Sequence, residues 1–353
     1  MKPFAYTSDP VRVIFGRGTI DHVAGEVRRL GCGRALVLST PQQKSEATDL
    51  ARRLGALAAG TFHDATMHTP TDVTERAVAL AREVQADCTV ALGGGSTTGL
   101  GKAIALRTDL PQIVIPTTYA GSEATAIIGE TKDGVKVTQR TLKVLPEVIV
   151  YDVDLNMTLP PMLTATSGMN AIAHAVEALY AQDQNPVTSL MADEGIRALA
   201  RALPVIVADP QNVDARTDAL YGAWLCGTCL NAVGMALHHK LCHTLGGSFD
   251  LPHAEVHTVV IPHATEFNAA AAPEAMRRIA AALGASDAAQ GLFELSQRLG
   301  APTSLSQLGM KAEAIDKAAD LAVKSPYWNP RPIDRESIRH LIGNAFHGRR
   351  PGA

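Results

Sequence analysis

Glu75–Leu106 reads ERAVALAREVQADCTVALGGGSTTGLGKAIAL and carries the clearest structural signal of the chain. Apolar residues recur at helical spacing in ERAVALAREVQA, whereas CTVAL is a short, mostly apolar run that ends at three glycines. A second helical pattern, GLGKAIAL, follows the glycines. Helix, strand and helix in this order predict one unit of a parallel sheet that is covered by helices.

The first half of the chain repeats this alternation. Further strands are predicted at VRVIFG, ALVLST, PQIVIPTT and EVIVYD, and helices at TIDHVAGEVRRLG and KSEATDLARRLGAL. After Tyr151 comes a polar, proline-bearing connector, VDLNMTLPPMLTATSG, and from Met169 onward long segments such as TDALYGAWLCGTCLNAVGMALHHKLCHTLGG have helical periodicity. The sequence therefore predicts an α/β domain with a Rossmann-like parallel sheet over 1–160, and an all-helical domain over 161–353.

Composition excludes several classes of protein. The chain has 353 residues, which suits two domains, and its net charge is −3 with both signs dispersed, which argues against a nucleic-acid partner. The N-terminal MKPFAYTSDPVRVIFG lacks the apolar core of a signal peptide, and no apolar run is long enough to span a bilayer. We expect a cytoplasmic protein with no membrane partner.

The five cysteines do not suggest a disulfide framework, because their number is odd and the chain is long. Cys226 and Cys229 form a CxxC, which raises a redox or metal role. Their surroundings, ALYGAWLCGTCLNAVGMALHH, have the pattern of a buried helix, and no second CxxC occurs. Packing is the favoured interpretation of this pair.

The glycine-rich turn predicts a phosphate-binding site. Gly93, Gly94 and Gly95 let the backbone approach a phosphate closely, and the hydroxyls of Ser96 and Thr97 can donate hydrogen bonds. The helix that follows supplies free N–H groups and a positive dipole. A tight turn without a ligand is the alternative, but the glycines and hydroxyls together favour a pyrophosphate cradle.

Two further strand ends support a dinucleotide cofactor. IPTTYAGSEAT places Thr117, Thr118 and Ser122 beside the first turn if the two strands are neighbours. In ALVLSTPQQ, Ser39 and Thr40 stand where dinucleotide-binding folds commonly carry the acidic residue that grips the ribose. Because neither side chain is charged, we predict that both NADH and NADPH are accepted.

Histidines cluster in the second half, in ALHHKLCHTLGGSFDLPHAEVH over 236–257. Asn170 and His174 are four residues apart, as are His239 and His243, so each pair shares a helix face, and His253 follows a turn. These five residues are predicted to converge on one pocket, which could handle a metal or protons. His238, His257 and His263 are interpreted as structural or peripheral.

The whole chain resembles the iron-containing alcohol dehydrogenase family. The resemblance rests on four segments: GGGSTTGLGKAIA, IPTTYAGSEAT, LPPMLTATSGMNAIAHAVEAL and HKLCHTLGGSFDLPHAEVHTVVIPH. It implies a dehydroquinate synthase-like architecture and a likeness of Lys143 to a family lysine near the cofactor. It also implies that the family's metal-ligand positions, an aspartate and three histidines, correspond here to Asn170, His174, His239 and His253.

Two departures from the family pattern point to one branch. Asn170 replaces the only anionic ligand, and Gly99 stands where GGGSxxDxAK has its aspartate. Both changes, together with YWNPRPI, resemble the maleylacetate reductases, which are regarded as metal-independent. The resemblance implies a homodimer that uses NADH or NADPH, without metal, to reduce the dicarboxylate maleylacetate to 3-oxoadipate in aromatic-compound degradation.

This reaction needs proton donors and groups that bind carboxylates. We predict His243 and His253 as the proton-handling pair, with His174 and His239 shaping the pocket. Asn170, Tyr327 and Arg331 are the predicted substrate-binding residues, since an arginine suits a bidentate grip on a carboxylate. Two alternatives remain open: an alcohol dehydrogenase that keeps its metal despite Asn170, and a catalytically silent nucleotide-binding relative.

Overall fold

The structure is a computed structural model, and it describes residues 3–132, 135–324 and 326–352. The chain forms two compact units. The first is Ser8–Leu159, and the second is Pro160–Ala353 together with the N-terminal segment Met1–Thr7. The sequence-based division at residue 160 assigns the N-terminal segment to the first domain, whereas the structure groups it with the helical residues.

The first unit is built on a six-stranded parallel sheet with the strand order β1-β8-β5-β4-β2-β3. Two further strands, β6 and β7, form an antiparallel pair outside it. The strands are β1 (Arg12–Gly16), β2 (Ala35–Leu38), β3 (Ala58–Phe62), β4 (Cys88–Gly93), β5 (Gln112–Pro116), β6 (Ile127–Lys132), β7 (Val135–Arg140) and β8 (Val148–Asp152).

The helices divide unequally between the units. The first unit carries α1 (Val23–Arg29), α2 (Lys44–Leu54), α3 (Thr71–Glu83) and α4 (Gly95–Thr108). The second carries α5 (Pro161–Ala178), α6 (Pro186–Ala208), α7 (Val213–Ala232), α8 (Leu237–Phe249), α9 (His253–Asn268), α10 (Pro273–Leu283), α11 (Ala288–Arg298), α12 (Ala314–Val323) and α13 (Arg335–His347). A parallel sheet followed by helices confirms the predicted fold class.

Side chains of the sheet alternate between two buried faces, as the pleat of a strand requires. Val90 and Leu92 of β4 pack with residues of α1 and α2, such as Val27 and Leu50. Ala91, between them, packs on the other face with residues of α3 and α4. Helices therefore cover both faces, which is why the strands are continuous apolar runs in the sequence.

Two predicted boundaries differ from the structure. The connector after Tyr151 is shorter than predicted, because α5 begins at Pro161 and includes its second half; proline is well tolerated in the first turn of a helix. The long helical pattern after residue 217 is broken, since α7 ends at Ala232 and α8 begins at Leu237. Within the described ranges no single helix is long and apolar enough to cross a membrane; α7 and α8 pass that test only as a pair, bent by 98°.

Small residues bring α6 and α7 into close contact. A Cβ added at Gly195 would lie 2.7 Å from Cys226 Sγ and 3.2 Å from the carbonyl oxygen of Gly222. Cys226 and Cys229 are both buried, and burial raises the pKa of each thiol. The CxxC is therefore part of a helix crossing whose thiols are protonated and inert, as the packing interpretation predicts.

We expect Gly195→Ala to lower the free energy of unfolding by about 1–3 kcal/mol, because the new methyl group must push α7 away. Gly343→Ala is the matched control, since it makes the same change in α13 where no atom lies within 4 Å of the added Cβ. The control should raise the free energy of unfolding by about 0.5–1 kcal/mol through helix propensity. Urea denaturation of both variants measures the difference, and equal effects would contradict the proposed close contact.

Candidate active site

The glycine turn after β4 accepts no side chain at its first two positions. Gly93 has φ +154°, and a Cβ there would lie 2.3 Å from Thr97 Oγ1. A Cβ at Gly94 would lie 2.9 Å from Thr118 Cγ2. A Cβ at Gly95 would come no closer than 3.7 Å to its surroundings, the Cβ of Ala120. The backbone is thus fixed by packing, and the surface beside Gly95 is open to a ligand.

This surface has the properties of an anion site. Helix α4 begins at Gly95, and the first N–H groups of a helix have no acceptor within it. The positive end of the helix dipole lies at the same place. Ser96 is half-buried at the turn, whereas Thr97 is fully buried and its hydroxyl fills the space above Gly93. Thr97, predicted as a hydrogen-bond donor to the cofactor, therefore packs against the backbone of the turn.

The second turn lies beside the first, as predicted. Strand β5 pairs with β4, and the amide of Thr117 donates to the carbonyl of Gly93 at 3.1 Å. Gln43, which the sequence analysis missed, joins a third turn to these two by donating from Nε2 to Thr117 Oγ1 at 2.9 Å. Thr118 contacts Gly94, so the ends of β2, β4 and β5 form one continuous surface.

A buried lysine fixes the shape of the second turn. Lys102 Nζ lies 2.6–2.9 Å from the carbonyls of Ser122, Thr125 and Ile127 and from the Thr125 hydroxyl. The amino group of Lys102 thereby satisfies backbone acceptors that would otherwise be buried without a partner, and burial lowers its pKa to about 7. Lys102 was missed because a lysine in a helical pattern normally indicates a solvent-exposed face.

Lys143 does not lie at this site. It is well exposed and pairs with Asp109 at 3.4 Å, at the C-terminal end of α4. The glycine turn is at the N-terminal end of the same helix, which has 14 residues. At about 1.5 Å per residue, roughly 20 Å separate the two ends. Lys143 therefore lies at the opposite end of α4 from the glycine turn, and its contact with the cofactor stays a prediction from the resemblance.

The family aspartate replaced by Gly99 has no room here. A Cβ at Gly99 would lie 2.4 Å from Thr69 Oγ1, so the threonine side chain occupies its place. Thr69 precedes α3 with a left-handed φ of +47° and is buried. The departure at Gly99 is thus accommodated by a neighbouring loop rather than left as a void.

In the second unit, one buried carboxylate organises the start of α8. Glu177, on α5, is fully buried. Its oxygens accept hydrogen bonds from the backbone N–H groups of Ala236 at 3.0 Å and His238 at 2.8 Å. They also lie 2.6 Å from His239 Nδ1. Glu177 therefore supplies acceptors that the first turn of α8 lacks and fixes the histidine ring beside it.

This contact determines the tautomer of His239. Because a carboxylate only accepts, His239 Nδ1 carries a proton and donates it to Glu177. His239 Nε2 then has a lone pair when the ring is neutral, and it lies 2.8 Å from His174 Nδ1. His174 consequently donates to His239, which gives an ordered chain from Glu177 through His239 to His174.

The predicted histidines converge, and the rings of His238 and His257 lie close to them. The rings of His243 and His253 stack with centroids 6.4 Å apart, and the ring of His243 lies 6.2 Å from that of His239. His257, interpreted as structural or peripheral, lies within the cluster instead. Its ring centroid is 4.5 Å from that of His253 and 5.1 Å from that of His239. Of the predicted pairs, His174 and His239 are buried, whereas His243 and His253 are exposed.

His257 also belongs to a second group of buried side chains, together with His238 and Cys242. His238 Nε2 and His257 Nδ1 are 2.9 Å apart, and Cys242 Sγ is 3.6 Å from His238 Nε2. Burial lowers the pKa of both imidazoles and raises the pKa of the thiol. The two imidazoles are therefore neutral and the thiol keeps its proton, so the three groups form a buried, hydrogen-bonded core. His263 is likewise buried, against Phe293.

The predicted substrate-binding residues lie in the same unit. Tyr327, Asn329 and Arg331 line a pocket of about 310 Å³. The guanidinium of Arg331 stacks over the ring of Phe267 at 4.1 Å, and its Nη1 donates to the Phe267 carbonyl at 3.2 Å. The Tyr327 hydroxyl is a buried atom without a hydrogen-bond partner among the described residues. These groups can donate to a ligand's oxygens.

Comparison with known proteins identifies the family. The model described as Iron-containing alcohol dehydrogenase matches residues 10–153, and the model described as Fe-containing alcohol dehydrogenase family, C-terminal, matches residues 164–346. The chain belongs to the iron-containing alcohol dehydrogenase family. The sequence-based prediction of an oxidoreductase of this family is confirmed.

Individual relatives narrow the resemblance to one branch of the family. The chain is 58% identical to the maleylacetate reductase of Rhizobium sp. (strain MTP-10005) and 56% identical to that of Burkholderia cepacia, each over 99% of this chain and 100% of the relative. The crystal structure of maleylacetate reductase from Agrobacterium tumefaciens has a TM-score of 0.97 at 58% identity, with 99% and 100% of the two chains covered. The predicted resemblance to maleylacetate reductases is confirmed.

The family position for an anionic metal ligand holds an amide. Asn170 Oδ1 is buried and has no hydrogen-bond partner among the described residues. Together with three imidazoles it offers a hard dication no negative charge. His174 and His239 also direct ligand nitrogens at each other through a hydrogen bond. In the described ranges, the groups whose ligand atoms lie within 4.8 Å are His238–Cys242–His257 and Cys32–Asp87–Cys88. The family set therefore does not fit a ferrous ion.

We expect Gly95→Asp to raise the dissociation constant for NADH about tenfold or more, because the carboxylate repels the pyrophosphate at the start of α4. The fold should persist, since an acidic residue suits the first turn of a helix. Gly25→Asp, at an exposed glycine in the first turn of α1, is the matched control. Fluorescence titration with NADH compares the two, and equal affinities would contradict the placement of the cofactor.

We expect Asn170→Asp to restore metal binding. Without metal the buried carboxylate lacks a partner, so the variant should unfold about 2 °C or more below the parent protein. Added Zn²⁺ or Fe²⁺ should reverse this loss in the variant alone. Asn156→Asp, at a buried amide whose oxygen and nitrogen have no partner among the described residues, is the control that metal should not rescue. Thermal unfolding with and without metal measures both, and rescue of the control would contradict the assignment.

Proposed function

We propose that the chain reduces maleylacetate to 3-oxoadipate with NADH or NADPH and without a metal ion. The observation that carries this proposal is the ordered chain from Glu177 through His239 to His174, beside an amide where a metal site needs a carboxylate. Imidazoles held in this way are suited to position a substrate beside the exposed histidines that exchange protons. The names of the curated relatives support the choice of substrate.

The cofactor site is assigned to the first unit. The N–H groups of Gly95 and Ser96 would bind the pyrophosphate, and Thr117, Thr118 and Ser122 would border it. When bound, a reduced nicotinamide supplies a hydride to the alkene carbon β to the ketone of maleylacetate. The chain contributes a rigid cradle, because Gly93, Gly94 and Lys102 fix the backbone on which the cofactor lies.

The substrate carries a carboxylate at each end and a ketone conjugated to an alkene. Arg331 would bind one carboxylate through guanidinium N–H groups other than the one bonded to Phe267, in the planar geometry that suits a carboxylate. The unpartnered Tyr327 hydroxyl and the Asn170 amide would donate to further oxygens. A polar site of this kind discriminates against substrates that lack these oxygens.

Negative charge develops on the ketone oxygen as the alkene is reduced, and a proton must reach the carbon next to the ketone. The exposed His243 and His253 can take up protons from solvent and donate them through a ring N–H. The buried His174 and His239 are held by Glu177, so they would align the ketone rather than exchange protons with water. A fixed donor near the ketone oxygen stabilises its developing charge.

Two alternatives predict different results. Three neutral imidazoles bind zinc in some enzymes, so a zinc-dependent alcohol dehydrogenase is the first. A nucleotide-binding relative without catalysis is the second. The protein is purified without chelator and assayed for metal. Oxidation of NADH or NADPH on adding maleylacetate is then measured before and after treatment with EDTA. These measurements separate the proposed function from both alternatives. If the protein contains stoichiometric metal and EDTA abolishes turnover, the first alternative is supported. If there is no turnover at all, the second is supported.

We expect His243→Ala and His253→Ala to lower kcat about 10²–10⁴-fold, because each removes a proton donor. Cofactor affinity should be unchanged, since the cofactor site is assigned to the other unit. His340→Ala, at an exposed histidine of α13, is the control and should retain normal turnover. Steady-state kinetics across pH measure these effects, and near-normal kcat in both variants would overturn the assignment of the pair.

The remaining predictions concern the cellular setting. A homodimer, a cytoplasmic location and a role in aromatic-compound degradation stay predictions from the resemblance and the composition. Sedimentation analysis of the purified protein checks the first of them.

A further inference from the structure

The ribose end of the cofactor site differs from the sequence-based prediction. Ser39 follows β2, which lies next to the glycine-bearing β4 in the sheet. In dinucleotide-binding folds the residue at this place contacts the ribose hydroxyls. Here Ser39 is fully buried, and its hydroxyl contacts the Thr40 carbonyl at 3.0 Å and His63 Nδ1 at 2.8 Å. Because both contacts are internal, Ser39 does not present its hydroxyl to a ligand.

The hydrogen bonds of Ser39 fix the state of His63. The hydroxyl has one proton, and the Thr40 carbonyl can only accept it. Ser39 therefore accepts from Nδ1–H of His63, whose other nitrogen, Nε2, is left for a ligand. His63 follows the end of β3, and it is half-buried next to Ser39, which follows β2. The histidine thus occupies the role that the sequence assigned to the serine.

The charges around His63 favour an anion. Lys44, exposed in the first turn of α2, acts on the ring electrostatically, and it follows Gln43, which contacts the turn after β5. Among the residues that the structure describes, the carboxylate that acts on the ring is Asp64, and Arg76 of α3 pairs with it at 2.6 Å. Burial and the charge of Lys44 lower the pKa of His63, and Asp64 opposes them. A ligand anion beside Nε2 would reverse this shift.

We propose that His63, held by Ser39 and assisted by Lys44, recognises the 2′-phosphate of NADPH. The proposal rests on the proposed function, because it assumes that a nicotinamide dinucleotide lies across the turns after β2, β4 and β5. Nε2–H of the protonated ring donates a charge-assisted hydrogen bond to the phosphate, and the ammonium of Lys44 adds a second charge. Ser39 is a positioning residue, since it acts only through the ring of His63.

His63 would bind the ribose 2′-hydroxyl of NADH in a different protonation state. A neutral imidazole whose Nδ1 carries the proton has a lone pair at Nε2, which accepts a hydrogen bond from a ribose 2′-hydroxyl. The residue therefore suits both cofactors in different protonation states. As pH rises, the preference for the phosphorylated cofactor should fall, because the protonated ring becomes scarce.

Calorimetry with 2′,5′-ADP and 5′-ADP tests the proposal without turnover. At about pH 6, the protein should bind 2′,5′-ADP roughly tenfold more tightly than 5′-ADP, and the ratio should shrink by about pH 8. His63→Gln should bring the ratio close to one at both pH values, because the amide oxygen of glutamine can still accept from the 2′-hydroxyl of 5′-ADP but brings no charge to the phosphate of 2′,5′-ADP. Lys44→Met should reduce the ratio part of the way. His22→Gln, at an exposed histidine of the same unit, is the control and should keep the parental ratio.

A second variant keeps the proposal testable if His63→Gln fails to fold. His63→Asp keeps a polar side chain and places a carboxylate beside the 2′-position, so NADH should be preferred in kcat/KM by about tenfold or more. Unchanged ratios in both His63→Gln and His63→Asp would overturn this inference while leaving the proposed reductase intact. Failure of the parent protein to bind either nucleotide would overturn the proposed function and the inference together.

Discussion

The helical unit depends on a single buried carboxylate. A carboxylate without water is costly unless hydrogen-bond donors surround it, and Glu177 finds them at the start of α8. Its partners lie 59 residues or more along the chain from it. Because α8 begins where these donors must meet the carboxylate, the positions of the histidines on α8 follow from that contact. The break between α7 and α8 places free N–H groups there, and an unbroken helix would have none to offer.

In the first unit, three loops must be held in fixed positions around one ligand. Its parallel strands bring their carboxyl ends to one edge, but loops at that edge are not rigid by themselves. Glycines without room for a side chain, a glutamine that bridges two turns and a buried lysine that donates to several carbonyl groups supply the rigidity. Each of these devices fixes backbone rather than contacting a ligand, so the cradle is formed in advance.

The sequence predicted what depends on local spacing. The fold class followed from alternating helices and apolar strands, and the convergence of His174, His239 and His253 followed from helical periodicity and the resemblance. It did not predict β3, whose sequence AAGTF is short and contains glycine, or the half-exposed pair β6 and β7. Contacts between distant residues were also missed, because no local pattern links Glu177 to α8 or Ser39 to His63.

Three residues show why residue type alone misleads. Thr97 and Ser39 have the hydroxyls expected of ligand-binding residues, yet both are fully buried. Lys102, a residue type that is normally exposed, is buried at the centre of the second turn. In each case the tertiary environment decides whether a polar atom contacts a ligand or the backbone, and that environment is absent from the sequence pattern.

The burial of the cysteines has a consequence for the chain's chemistry in air. Four of the five thiols are buried and Cys32 is half-buried, so the folded protein shields most of its thiols from oxidants and alkylating reagents. Unfolding removes that protection from all of them at once. Oxidative damage in an ageing preparation would therefore follow the transiently opened molecules, and thiol reactivity would record how often the native packing fails.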